Sequence, residues 1–301
     1  MEEANVLLGA QTLDEYRWNR LALRRFEHQI TQAFEALRRN RIEPILIKGW
    51  AAARFYPEDR PRSFSDIDLA VSAENYELAF ELSHSNELGN LNIDIHRELR
   101  SLDRVDWTSL FERSKLLPLD DTTVRILSPE DHLRVLCTHW LTDGGQYRER
   151  LWDIYYAIQN RPENFDWNLC LGSVSPTRRR WIVTVIAITR KHLGLEIKDL
   201  PFFHETEHIE DWIEKCLEKE WRSNVRLRSL HTCINDPKLL IKQIRKRLPP
   251  NPIQATIEAE GELDGRTRLP FQLKSVFRRL KPSISRVAPT LAERIWSKTR
   301  R

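Results

Sequence analysis

Ile45-Leu46-Ile47-Lys48-Gly49-Trp50, followed across a Pro/Arg/Ser-rich loop by Arg62-Ser63-Phe64-Ser65-Asp66-Ile67-Asp68-Leu69-Ala70-Val71, is the stretch whose reading decides the fold. Asp66 and Asp68 are one residue apart in a strand-like run, so both point to one face, because strand side chains alternate with period two. Two carboxylates side by side repel, an arrangement usually tolerated where a cation sits between them. A third acid, Asp94, lies in a second alternating run, Leu91-Asn92-Ile93-Asp94-Ile95-His96. Three carboxylates on neighbouring strands after a glycine turn suit a divalent metal and a triphosphate. His96 is read as structural, facing the other side of the sheet.

Outward from that stretch, residues 13–40 place Leu21, Leu23, Phe26, Ile30, Phe34 and Leu37 near helical spacing among charges, which predicts an amphipathic helix ended by Pro44. Trp50 to Tyr56 begins a helix that stops before Pro57, and Trp50 packs it onto the sheet. Ser72 caps a further helix through Leu82, and Gly89-Asn90 turns the chain into the Asp94 strand. Alternating helical and strand periods indicate an α/β or α+β sheet domain.

A boundary falls at Ser128-Pro129-Glu130-Asp131, where an N-cap serine and an N1 proline start a helix. Helical patterns then cover 129–142, 147–160, 176–193, 206–222, 224–234 and 236–247. The polar, glycine-punctuated segment from Ile253 to Arg268, after Pro249-Pro250-Asn251-Pro252, reads as a linker. The expected organisation is a sheet domain over 1–127, a helical domain over 128–250, and a linker with a basic tail over 251–301.

Composition sets bounds on partners and compartment. With 41% hydrophobic and 31% charged residues in 301, the chain has material for a core and no run of about 18 apolar residues that would span a membrane. The start lacks the pattern of a secretory signal, and Cys137, Cys170, Cys216 and Cys233 are scattered without metal-site spacing, so a cytoplasmic protein with reduced, buried thiols is expected. The net charge of +4 hides an asymmetry: from Lys274 to Arg301 there are nine basic residues against Glu293. Such a tail suits RNA or an anionic surface, or is simply a solvated terminus.

Leu46-Ile47-Lys48-Gly49, Tyr56-Pro57, Arg62, Asp66-Ile67-Asp68-Leu69 and Ile93-Asp94-Ile95-His96 together resemble the polymerase-beta-type nucleotidyltransferase superfamily. More narrowly, they are similar to a bacterial nucleotidyltransferase family found beside biosynthetic gene clusters. Ser128-Pro129-Glu130-Asp131-His132, His139 and Arg150-Leu151-Trp152-Asp153 resemble its helical half. The resemblance implies an α+β fold, a small mixed-sheet domain followed by helices. It also implies transfer of a nucleotide from an NTP to a small-molecule or peptide acceptor. Asp66, Asp68 and Asp94 would hold two Mg²⁺ ions, with Mn²⁺ as a substitute, and serve as the catalytic acids. Lys48, Gly49, Arg62, Ser65, His139 and Arg150 would bind the nucleotide, Gly49 by letting backbone amides approach phosphate. The chain departs from the wider pattern at Trp50, where that pattern has a serine or glycine. Arg150 and Asp153 share a helix face, so an internal salt bridge is the alternative for that pair. Two further functions compete: a toxin-like enzyme acting on tRNA or protein, and a silent nucleotide-binding scaffold.

Overall fold

Strand alternation divides the residues around the acid pair between two cores. Ile67, Leu69 and Val71 join Leu46, Ile95, Val124 and Ile126 in one apolar cluster with Ile30, Phe34 and Leu37. Ile45, Ile47 and Ala70 join Leu99, Leu110 and Val135 in another. Asp68, one residue before Leu69 and two before Ala70, therefore shares a face with the second cluster.

These relations come from a computed structural model of the protein, which describes residues 13–100, 102–223, 225, 227, 230–233 and 236–278. The basic stretch beyond Arg278 lies outside these residues, as does part of the helix expected at 224–234, where a 3₁₀ turn runs Leu230–Cys233. Among the described residues no helix is long and apolar enough to cross a membrane.

The chain divides into two compact units, 1–139 with 149–207, and 140–148 with 208–301. The first is an α+β assembly. It runs α1 (Leu13–Arg39), β1 (Ile45–Leu46), α2 (Trp50–Ala53), β2 (Ile67–Val71), α3 (Tyr76–Ser83), β3 (Ile93–Arg97), α4 (Trp107–Arg113), β4 (Lys115–Leu119) and β5 (Thr122–Ile126). Then come α5 (Pro129–Thr142), α6 (Leu151–Gln159), α7 (Trp167–Gly172) and α8 (Pro176–Leu193). Thus α6, α7 and α8 fall in the same compact unit as the sheet.

The sheet order is β3-β2-β1-β5-β4. β2 pairs antiparallel with β1 and parallel with β3, so the sheet is mixed. Helix α1 covers one face with Ile30, Phe34 and Leu37, the apolar stripe that its periodicity predicts. Helix α5 contributes Val135 to the opposite face, and His139 follows one turn later on the same side of that helix. The β4–β5 hairpin, absent from the sequence reading, turns at Asp120-Asp121, with Asp120 in the left-handed region at φ 49°. Helix α3 starts at Tyr76 after Asn75, not at Ser72.

The second unit contains α9 (Asp211–Trp221), α10 (Pro237–Arg247), α11 (Pro252–Glu258) and a helical stretch at 269–278. The segment read as a linker is instead part of this core: α11 runs through it, and Ile253, Ala255, Ile257 and Leu263 are buried. Its pattern is short, and the polar residues between the apolar ones hid a one-sided helix. Asn251 caps α11 through Gln254 N and also donates to Gly144 O at 3.0 Å.

Candidate active site

Asp68 and Asp94 are register partners on the parallel strands β2 and β3, and Ala70 is the partner of His96. Equal register on neighbouring strands puts side chains on the same face, so Asp68, Asp94 and His96 meet there. His96 Nε2 lies 3.0 Å from Asp68 Oδ1 and 3.1 Å from Asp94 Oδ2. Asp68 and His96 are buried, whereas the Asp94 side chain is 60% exposed. The reading of His96 as facing away is thus corrected: it is two residues from Asp94, and a period of two returns it to the same face. That signal was present in the sequence.

Asp66 stands immediately before β2. Burial and the Asp68 charge raise its pKa above the usual carboxylate value, while Lys48 and Arg150 pull in the other direction. Asp68 responds oppositely. Burial would raise it, but the His96 hydrogen bond and the Lys48 ammonium, 2.5 Å from Oδ1, hold it down at about 2. The His96 hydrogen bond also lowers Asp94. Burial would depress His96, yet its bonds to both carboxylates leave it raised. A crowded anionic patch is therefore balanced by Lys48, His96 and Arg150.

The turn that delivers Lys48 depends on Gly49. Its φ is 49°, in the left-handed region, and an added Cβ would come 3.3 Å from the Asp66 carbonyl oxygen. Only glycine takes that conformation at little cost and lets the chain pass so close to the β2 entrance. Its own carbonyl accepts from Ala52 N and Ala53 N, starting α2. Trp50 is buried in the cluster beneath α1, with its indole N–H donating to Glu27 Oε1 at 3.1 Å. It packs, as its apolar setting predicts.

His139 and Arg150 come to this same neighbourhood. Burial, with the Lys48 and Arg150 charges, pushes the His139 imidazole down to about 3, so it is neutral at pH 7. Arg150 closes a 3₁₀ turn before α6, and its Nη1 is 3.5 Å from His139 Nδ1. The Arg150 charge is felt at Asp66.

Arg62 is engaged elsewhere. Its Nε and Nη2 donate to Asp153 Oδ1 and Oδ2 at 2.6 and 2.8 Å, while Tyr56 Oη donates to Oδ1 at 2.6 Å. Asp153, the alternative partner for Arg150 in the sequence, bonds Arg62 and Tyr56. A two-pronged fork fits carboxylate geometry, and it ties the loop before Asp66 to α6. Nothing in the local sequence spacing announced a contact across ninety-one positions. Ser65 is exposed, and its carbonyl accepts from Asn92 Nδ2 at 2.7 Å.

The donor set suits a metal ion. Ligand atoms of Asp68, Asp94 and His96 all lie within 4.8 Å of one another, and carboxylate oxygens are the hard donors that Mg²⁺ or Mn²⁺ accepts. Asp66 adds a third carboxylate at the entrance of β2, within charge range of the other two.

A family model described as "Uncharacterised nucleotidyltransferase" matches residues 10–193. Neither the curated proteins nor the solved structures give a match. The matched span includes the sheet, the acid cluster, His139 and Arg150.

Proposed function

The chain belongs to the uncharacterised nucleotidyltransferase family, and from that premise we propose that it moves a nucleoside monophosphate from an NTP to a hydroxyl or similar group of a small-molecule or peptide acceptor. The acceptor oxygen bonds to the α-phosphorus as the bond to the bridging oxygen breaks, and pyrophosphate leaves. The pairing of Asp68 with Asp94 on parallel strands, beside Asp66, carries this reading.

Asp66, Asp68 and Asp94 hold the divalent cations, which when bound withdraw charge from the phosphate oxygens and acidify the attacking hydroxyl. Lys48 and Arg150 place two positive charges at the same rim, suited to the β- and γ-phosphates. Gly49 sets Lys48 there by turning the chain against Asp66. Ser65 offers an exposed hydroxyl to phosphate, and the Arg62 charge steadies the anionic site from its seat on Asp153. Neutral His139 supplies a hydrogen bond without adding charge. Asp94, the most exposed of the carboxylates that His96 bridges, takes the proton of the acceptor hydroxyl.

Labelled NTPs test this directly. With Mg²⁺ and mixed candidate acceptors, α-³²P moves into a small molecule or peptide and γ-³²P leaves as pyrophosphate. Label in RNA or a protein chain assigns the acceptor to the toxin-like class instead. Transfer of γ-³²P contradicts the proposal. NTP binding with no transfer to any acceptor points to a silent scaffold.

A further inference from the structure

We infer that His96 is itself a ligand of the cation, completing an Asp68–Asp94–His96 set that favours a first-row transition ion such as Mn²⁺ over Mg²⁺. This rests on the metal-dependent reading of the same site and goes beyond an all-carboxylate set.

The geometry comes from two strands rather than from a flexible loop. His96 is locked on β3 opposite Ala70, two residues beyond the Asp68–Asp94 pair. Its Nε2 is aimed between the carboxylates, 3.0 and 3.1 Å from one oxygen of each. Neighbouring ligands of an octahedral ion, each about 2.1 Å from it, stand about 3.0 Å apart. The imidazole and the acids thus already have the mutual spacing of adjacent ligands.

The rest of the surroundings are compatible. The Lys48 ammonium shares Asp68 Oδ1 with His96. A carboxylate has about four lone-pair sites on its two oxygens, enough to serve an ammonium and an ion together. His96 is 7% exposed, so its ring is fixed on the inner side of the cluster while Asp94 faces outward. With Asp68 and His96 buried and Asp94 exposed, the Asp94 side of the cluster would be left for phosphate and water. Mg²⁺ strongly prefers oxygen, whereas Mn²⁺ accepts imidazole with carboxylate.

Mn²⁺ itself is the probe. Pulsed electron paramagnetic resonance of Mn²⁺ bound to the full chain shows coupling to one imidazole nitrogen, which shifts on ¹⁵N-histidine labelling. The coupling is absent in His96→Gln, whose folding is checked by its melting curve, and Mn²⁺ affinity falls roughly tenfold or more. Mg²⁺ affinity, measured by competition, falls less. Mn²⁺ bound tightly with no nitrogen coupling, and an unchanged Mn²⁺/Mg²⁺ preference in His96→Gln, overturns the ligand role while leaving the metal site standing. No Mn²⁺ bound by the wild-type chain overturns both.

Discussion

Asp66 and Asp68 sit one residue apart and titrate in opposite directions: Asp66 is raised by burial and its neighbour's charge, and Asp68 is held at about 2 by His96 and Lys48. The cations of the site are distributed unequally between two acids that share a face. Lys48 and His96 both bond Asp68 Oδ1, leaving Asp66 as the carboxylate whose charge is least compensated. A divalent cation bound as proposed would relieve that deficit.

The two acids therefore have opposite effects on the stability of the metal-free protein. A carboxyl raised in the folded state destabilises it once pH exceeds the unfolded value near 3.9. Asp66→Asn accordingly raises the melting temperature in EDTA at pH 7 and removes the stabilisation that Mg²⁺ gives the wild type. The gain disappears below about pH 4. A variant melting at or below wild type in EDTA contradicts this.

Asp68→Asn goes the other way. A folded pKa depressed to about 2 contributes stability that is present above the unfolded value and is lost as pH falls through the folded one. Its loss at pH 7 is about 2 kcal/mol, and the gap to wild type closes between about pH 4 and pH 2. Urea unfolding at a series of pH values measures it, and an equal gap at pH 7 and pH 3 refutes the assignment.

Turnover is a separate matter from stability. Both Asp66→Asn and Asp68→Asn lose about a thousandfold or more in kcat, since cation-assisted charge stabilisation is worth several kcal/mol. Asp66→Asn is the informative variant, because it combines a firmer fold with lost activity. Retained activity in it removes Asp66 from the machinery.

Arg62 and Asp153 form a bonded pair with side chains 16% and 5% exposed. Breaking one partner leaves a nearly buried charge and costs about 3–5 kcal/mol. Arg62→Ala and Asp153→Ala each lower the melting temperature, and the double variant loses less than their sum. An Arg62→Ala protein with unchanged melting and only a raised KM for NTP assigns Arg62 to phosphate instead.

Gly49→Ala forces a Cβ into the left-handed region and against the Asp66 carbonyl. The backbone alone costs about 1–2 kcal/mol. Activity falls further than stability, because the turn carries Lys48 to the acids. Equal stability and activity to wild type contradict the proposed reason for this glycine.

Part of the candidate site was legible because strand periodicity is local. Alternation puts Asp66 with Asp68 and Asp94 with His96, and Gly49 could be recognised as the turn residue nearby. Bringing the two sets together needs the β2–β3 register, which no local spacing gives. His96 obeys the same rule: two residues beyond Asp94 on β3, it returns to the face of that acid. The Arg62–Asp153 fork was illegible because it depends on packing of a loop against α6, far apart in sequence. Helix α11 escaped because seven residues with interspersed polar positions give too little period to detect. The β4–β5 hairpin escaped because Asp120-Asp121 lacks the glycine that usually marks such a turn, and Leu116 of β4 is exposed.

Anomalous diffraction from crystals soaked with Mn²⁺ and a non-hydrolysable NTP examines the central claim most directly. The expected result is a metal peak bonded to Asp68 and Asp94, with Asp66 joining and the triphosphate toward Lys48 and Arg150. Nucleotide bound away from these carboxylates, with no metal peak among them, contradicts the account.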